Sequence, residues 1–305
     1  MMTEDELLTK ALYSSATIHQ PHALKAYIAT KYLVQHEEFN IKNIWQHTAS
    51  LIDRSEIYTQ INFATQIHAP VFTVPRIKRI LSLGLYPASY VALRQWYDRD
   101  GFESIFHYYV EKSTERSQYL SHHITLLFAL NTVYDVLDTA QVEPFLDRVA
   151  EFITCTFSEQ QVSSLLPQFD PKITLSINFL LKAALKQPGF FCHNLITLVW
   201  IIRYKNKINA SFFEILLFQL YLQVTLPLDD PEDELDSEIY QQTQGGNKNE
   251  FNKKINMLIW NYSQNLHQIT LADALVFLQA EFPEYTFELT KITDYQIKFL
   301  DINSV

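Results

Sequence analysis

Apolar side chains recur three and four residues apart along most of this chain, the period of a helix that buries one face. Thr3 with Glu6 forms a capping box ahead of a first helix running to about Ser15. Pro21 suits the first turn of a second helix through Leu33. The segment from 41 to about 66 reads as one helix or two. Thr73 caps a helix that begins near Pro75 and stops at Gly84, and Pro87 opens another through Tyr97. Asp98-Arg99-Asp100-Gly101 reads as a turn, followed by a helix over 102–112. Ser113 or Thr114 then caps a long helix through Asp138. Further helices are predicted over 141–157, 159–166, 172–186 and 190–205. Ser211 caps a strongly apolar one that ends before Pro227.

Beyond Pro227 the pattern changes. Positions 229–249 form an acidic and polar linker, and helices resume over 252–266 and 271–280. The tail, from Tyr285 to Ile292 and again from Tyr295 to Phe299, alternates and is rich in strand formers. It reads as a small C-terminal β-hairpin turning at Thr293-Asp294, with a terminal helix as the alternative. The expected fold is all-α, an irregular multi-helix bundle or an array of helix pairs. A main helical domain spans 1–228, and the C-terminal part spans 250–305.

Composition supports this. Five glycines in 305 residues are too few for the many βα turns of a doubly wound α/β protein. A hydrophobic fraction of 48% and 21 phenylalanines supply a large aromatic-rich core. The net charge of −10 is concentrated in Asp229, Asp230, Glu232, Asp233, Glu234, Asp236 and Glu238, which leaves −3 for the rest. No basic cluster exceeds Arg76-Ile77-Lys78-Arg79, so nucleic acid is not an expected partner. The longest apolar run, 212–228, contains Glu214, Gln219 and Gln223 and reads as a buried helix rather than a membrane span. The acidic N-terminus is unlike a signal peptide. The two cysteines, Cys155 and Cys192, form no CxxC pair. A cytoplasmic protein is expected.

Candidate chemistry lies in the histidines. Four places share a histidine followed by Thr-Leu or a similar hydroxyl and aliphatic pair. They begin at His47, His122-His123, His193 and His267, 71 to 75 residues apart. The second and fourth match as HxxTLxxAL. Stacked repeats of about four helices would place these histidines on equivalent helices, where rings facing a common interior act as acid–base groups or bind metal. As core residues, each would instead bond a neighbouring carbonyl. His19 and His22 flank Pro21 beside a loop and are expected at the surface. Glu103 and His107 lie four apart on one helix face and form a candidate metal pair. Cys192 and His193 are adjacent, so their side chains diverge by about 100° on a helix and make a poor nucleophile–base pair.

The segment Phe190-Phe191-Cys192-His193-Asn194-Leu195-Ile196-Thr197, with Ser211 and the helix over 216–222, resembles the Phe-Phe-x-x-His-x-x-Thr helix pair of the questin-oxidase-like proteins. Ser121-His122-His123-Ile124 is similar to their earlier histidine-led helices. That family is all-helical and linked to oxidative ring opening of aromatic polyketides. The resemblance implies an oxidoreductase with His122, His123 and His193 lining an aromatic cavity. The family's Asn-His-Gly-Pro helix start is not present, and neither is its later histidine two residues after an acid, where this chain has Asn249-Glu250-Phe251-Asn252.

Asp229-Asp230-Pro231-Glu232-Asp233 formally matches the DDxxD magnesium motif of terpene synthases. That chemistry needs carboxylates on a helix facing a cavity. Here Pro231 and the surrounding acids point to a solvated helix start instead. Two functions follow. One is an oxidoreductase acting on a small aromatic or hydrophobic ligand, with His122, His123 and His193 as catalytic residues. The other is a non-catalytic helical scaffold that binds a protein partner. A terpene-synthase-like enzyme is the remote third.

Overall fold

The chain is seen here in a computed structural model that describes residues 2–39, 42–59, 70–159, 164–165, 175–228 and 230–302. Four helices in it are apolar round nearly their whole circumference. They are α2 (His22–Leu33), α6 (His122–Tyr134), α9 (His193–Tyr204) and α13 (Leu266–Glu281). A helix of that kind has no face to offer water and must be enclosed. These four enclose one another: α2 packs on α6, α6 on α9, α9 on α13 and α13 back on α2.

The remaining helices are mostly one-sided and cover this circuit. They are α1 (Glu4–Leu12), α3 (Ile44–Ser55), α4 (Val74–Ser82), α5 (Ala88–Ser113), α7 (Val142–Thr156), α8 (Ile177–Lys186), α10 (Ala210–Thr225), α11 (Ser237–Gln241), α12 (Lys248–Trp260) and α14 (Thr286–Ile302). Two short antiparallel pairings join loops: β1 (Ser14–Ser15) with β2 (Ile57–Tyr58), and β3 (Arg116–Ser117) with β4 (Ser164–Leu165). The fold is all-α, as the apolar period predicts. Among the described residues no helix is long and apolar enough to cross a membrane.

Several boundaries differ from expectation. The C-terminal hairpin is not formed, and 286–302 is helix α14. Its strand formers sit at helical spacing, so Leu289, Ile292, Thr293, Gln296 and Leu300 are all buried. Packing a face outweighs intrinsic strand preference. The long helix expected after a cap at Ser113 or Thr114 and through Asp138 is shorter at both ends, α6 alone over His122–Tyr134. Helix α5 ends at Ser113, and α6 begins only at His122, after left-handed Leu120 and Ser121. The expected turn at 98–101 is narrower: the helix runs on to Gly101, which alone leaves helical geometry at φ 73. The acidic segment carries structure of its own, a 3-10 turn at Pro231–Asp233 and helix α11 capped by Asp236. The helix expected over 159–166 and the start of the one over 172–186 fall largely outside the described residues.

Candidate functional site

Each enclosed helix begins with a histidine. His22, His122 and His193 are the first residues of α2, α6 and α9, and His267 is the second residue of α13. Two of these starts are built alike. Tyr119–Ser121 and Phe190–Cys192 are each a single 3-10 turn. The last two residues of each are left-handed: Leu120 at φ 64 and Ser121 at φ 51, Phe191 at φ 42 and Cys192 at φ 59. Such a conformation costs a non-glycine residue about 1–2 kcal/mol. Strain of this kind persists where surrounding packing dictates it. Here it turns the chain sharply so that the histidine opens the helix.

The four starts converge. Ring centroids of His22 and His122 lie 5.1 Å apart, those of His122 and His193 5.3 Å, those of His193 and His267 5.2 Å, and those of His267 and His22 5.1 Å. The rings thus form a closed circuit in the same order as their helices. Nε2 of His122 is 3.3 Å from Nε2 of His193. His193 donates from Nδ1 to the Phe190 carbonyl at 2.5 Å, and His267 donates from Nδ1 to Asn265 Oδ1 at 3.1 Å. Phe190 stacks near-parallel on His193, and Phe191 on His267, at 6.0 and 5.1 Å. An aromatic wall therefore flanks two of the rings.

Two further polar groups enter this space. Lys25, one turn after His22, is 1% exposed, and its Nζ has no hydrogen-bond partner. Glu56, at the end of α3, has a side chain 1% exposed, with Oε1 3.8 Å from His22 Nδ1. Its Oε2 and His22 Nε2 are also unpartnered. His122 and His267 lie deep under protein yet keep part of their surface accessible.

Burial sets the ionisation. It drives His22, His122 and His193 well below the usual imidazole range, reinforced by the neighbouring cationic groups. It takes His267 down to about 3 and Lys25 down to about 7. Glu56 is pushed up to about 8 by burial, against the pull of the Arg148 guanidinium. At neutral pH the four imidazoles are neutral and Glu56 is largely protonated. Cys192, raised to about 12 by burial, stays a thiol and is bonded by Gln296.

His122 and His193 therefore share one space, as expected, but His123 does not join them. Its ring points the other way on α6, and its Nε2 donates to Gln219 Oε1 at 2.9 Å. It lines a separate cavity of 360 Å³ with Lys78, Tyr109 and Thr156. Consecutive residues on a helix are about 100° apart, so adjacent histidines cannot both face one point. Glu103 and His107 form an exposed pair at 3.5 Å on α5. Among the described residues, the three-ligand group is instead His22, His122 and His267, with ligand atoms within 4.8 Å of one another.

His22, Lys25 and Glu56 were missed by sequence reasoning. His22 is buried rather than at the surface. The available signal was the circumference of α2. A histidine and a lysine three apart on a helix otherwise apolar all round must be buried with it. His47, the first member of the recurrence, lies elsewhere, bonded to Ser263 and packed on Trp260. Asp229 is outside the described residues. Asp230, Glu232 and Asp233 sit in a 3-10 turn, with Asp230 capping Glu232, rather than on a helix facing a cavity. That segment leans on the site from outside. Asp233 accepts from Tyr119, and with Phe190 and Phe191 the segment borders a recess of 200 Å³. No family model, curated protein or solved structure matches this chain.

Proposed function

We propose that this protein is an enzyme centred on His22, His122, His193 and His267, an oxidoreductase acting on a small hydroxylated aromatic ligand. The observation that carries the reading is the set of unpartnered atoms, Lys25 Nζ, His22 Nε2 and Glu56 Oε2, gathered around four neutral imidazoles in the core. Each such atom costs about 1–3 kcal/mol when buried without a partner. A scaffold gains nothing from that expense, and buried polar groups held apart from their partners are a hallmark of sites awaiting a ligand.

A lysine that titrates near neutrality is suited to take a phenolic proton and then, as an ammonium, to hold the resulting phenolate, while the neutral imidazoles beside it offer hydrogen bonds rather than basicity. Phe190 and Phe191 supply a face for the ring. The resemblance around Phe190–Thr197 and Ser121–Ile124 points to the same substrate class. The test is to titrate the protein with a hydroxylated aromatic polyketide in air. The ligand's absorption and dissolved oxygen would both be followed. A shift to the phenolate spectrum, abolished by His122→Phe and kept by His123→Gln, is the expected result. Equal behaviour of wild type and His122→Phe, or no binding by either, removes the reading in favour of the scaffold.

A further inference from the structure

We propose that His22, His122 and His267 ligate one divalent first-row transition ion, with His193 at its fourth position and Glu56 orienting His22 from outside. This rests on the four-histidine cluster being the functional site and names what it holds.

The first support is tautomeric. A neutral imidazole carries one ring proton and one lone pair. His193 and His267 commit the Nδ1 proton to the Phe190 carbonyl and to Asn265 Oδ1. Their Nε2 atoms are therefore lone-pair donors. His22 has a carboxyl oxygen on its Nδ1 side, 3.8 Å away, and an unpartnered Nε2. Metal-bound histidines are held as His193 and His267 are, the outer nitrogen tied to an oxygen and the inner one left for the ion. The Nε2 lone pairs of His193 and His267 and the unpartnered Nε2 of His22 thus face one space, where a cation would satisfy all of them together.

The second support is metric. Two nitrogens on a tetrahedral ion at about 2.1 Å stand about 3.4 Å apart. His122 Nε2 and His193 Nε2 are 3.3 Å apart. Four rings on such an ion have all six centroid separations at about 5.3 Å; the four successive pairs of the circuit stand at 5.1 to 5.3 Å, and the two pairs across it are left for binding to set. The ligand atoms of His22, His122 and His267 already lie within 4.8 Å of one another, and side-chain rotation on binding would bring them to coordination distance.

Two features oppose a cation: four helix starts point their positive ends inward, and Lys25 is close. Coordination by imidazole outweighs helix-end dipoles. Lys25 Nζ makes no hydrogen bond that would fix it beside the rings, and the Lys25→Met variant tests how far it opposes an ion. A lone proton between His122 and His193 would satisfy that pair but leave His22 Nε2 without a partner. An all-nitrogen set selects zinc, iron, copper or nickel over magnesium and calcium.

Chelator-treated full-length protein, reloaded with Zn(II) or Co(II) and desalted, is to be measured for bound metal. One ion per chain and the visible bands of tetrahedral cobalt are expected. His22→Gln and His267→Gln lose both, and His123→Gln keeps both. Lys25→Met, which removes the competing cation, binds zinc more tightly and controls for misfolding. Metal-free wild type after reloading, or uptake by His22→Gln equal to wild type, overturns the proposal. Aromatic binding without metal uptake would sink the ion and leave the site reading intact. Metal uptake without aromatic binding does the reverse.

Discussion

Lys25 sits in the core with no partner for its ammonium. Replacing a buried charge of that kind by an apolar side chain of similar length is often stabilising by about 1–4 kcal/mol. Lys25→Met is therefore expected to raise the urea midpoint. A lower midpoint would mean that the amine has a partner the geometry does not reveal. The sign with pH is definite. Its folded value, about 7, lies below the unfolded 10.5, so between those limits the folded chain binds fewer protons and stability grows with pH through Lys25. Glu56 acts oppositely. Held near 8 against 4.5 unfolded, it binds more protons when folded, and its contribution falls as pH rises through that window. His123 gives a second prediction. His123→Ala removes a buried ring together with its bond to Gln219 Oε1 and costs about 1–3 kcal/mol in denaturant unfolding, while leaving the cluster's ligand binding unchanged. At this scale the sequence yielded His122 and His193 through their recurrence with His267. It could not separate His122 from His123, because either could face inward until the helix start is fixed. It passed over His22 because a residue after proline at a loop edge looks solvated from local pattern alone.

The two strained 3-10 turns are the elements that aim His122 and His193. Gly189 begins one of them at φ 69, and a Cβ there would stand 3.3 Å from Asn194 Nδ2. That amide bonds the Gln187 carbonyl at 2.8 Å and ties the turn to α9. Gly189→Ala is expected to lower stability by about 1 kcal/mol or more and to broaden the His193 ring signals in NMR. An unchanged midpoint would show that the turn is not under constraint. The helices themselves were largely legible, since the apolar period follows directly from side-chain geometry. These turns were not. Leu120, Ser121, Phe191 and Cys192 are poor left-handed residues, and nothing local announces them. For the same reason one continuous helix was read across 114–121. The terminal helix α14 was obscured by its Thr, Tyr and Ile content, and only its burial against α12 and α13 decides the matter.

For the whole molecule, one ion pair braces the circuit. Arg203 of α9 makes a two-pronged bond to Asp273 of α13, at 2.7 Å on each side, and lies over Tyr32 of α2, 4.1 Å from its ring centre. Asp273→Ala leaves that guanidinium enclosed and unpaired, and is expected to cost about 3–5 kcal/mol in chemical unfolding. A loss under 1 kcal/mol would show the pair to be solvent-relaxed. Acid should open the protein as well. His123 and His267, near 4 and 3 when folded, must take up protons on unfolding. Stability present above about 6.5 is therefore lost as pH falls toward those values. A melting temperature flat from pH 7 to 4 would contradict it. The order of the four rings has a last consequence, for synthesis. They come from positions 22, 122, 193 and 267, so a nascent chain carries three of them long before the fourth. Until α13 leaves the ribosome, α2 lacks the helix that covers one side of it, and an incomplete trio of imidazoles stays open to the cell. Helix α13 therefore closes the core and the site in one event. A chain truncated before His267 should be retained by chaperones rather than released as a smaller working protein.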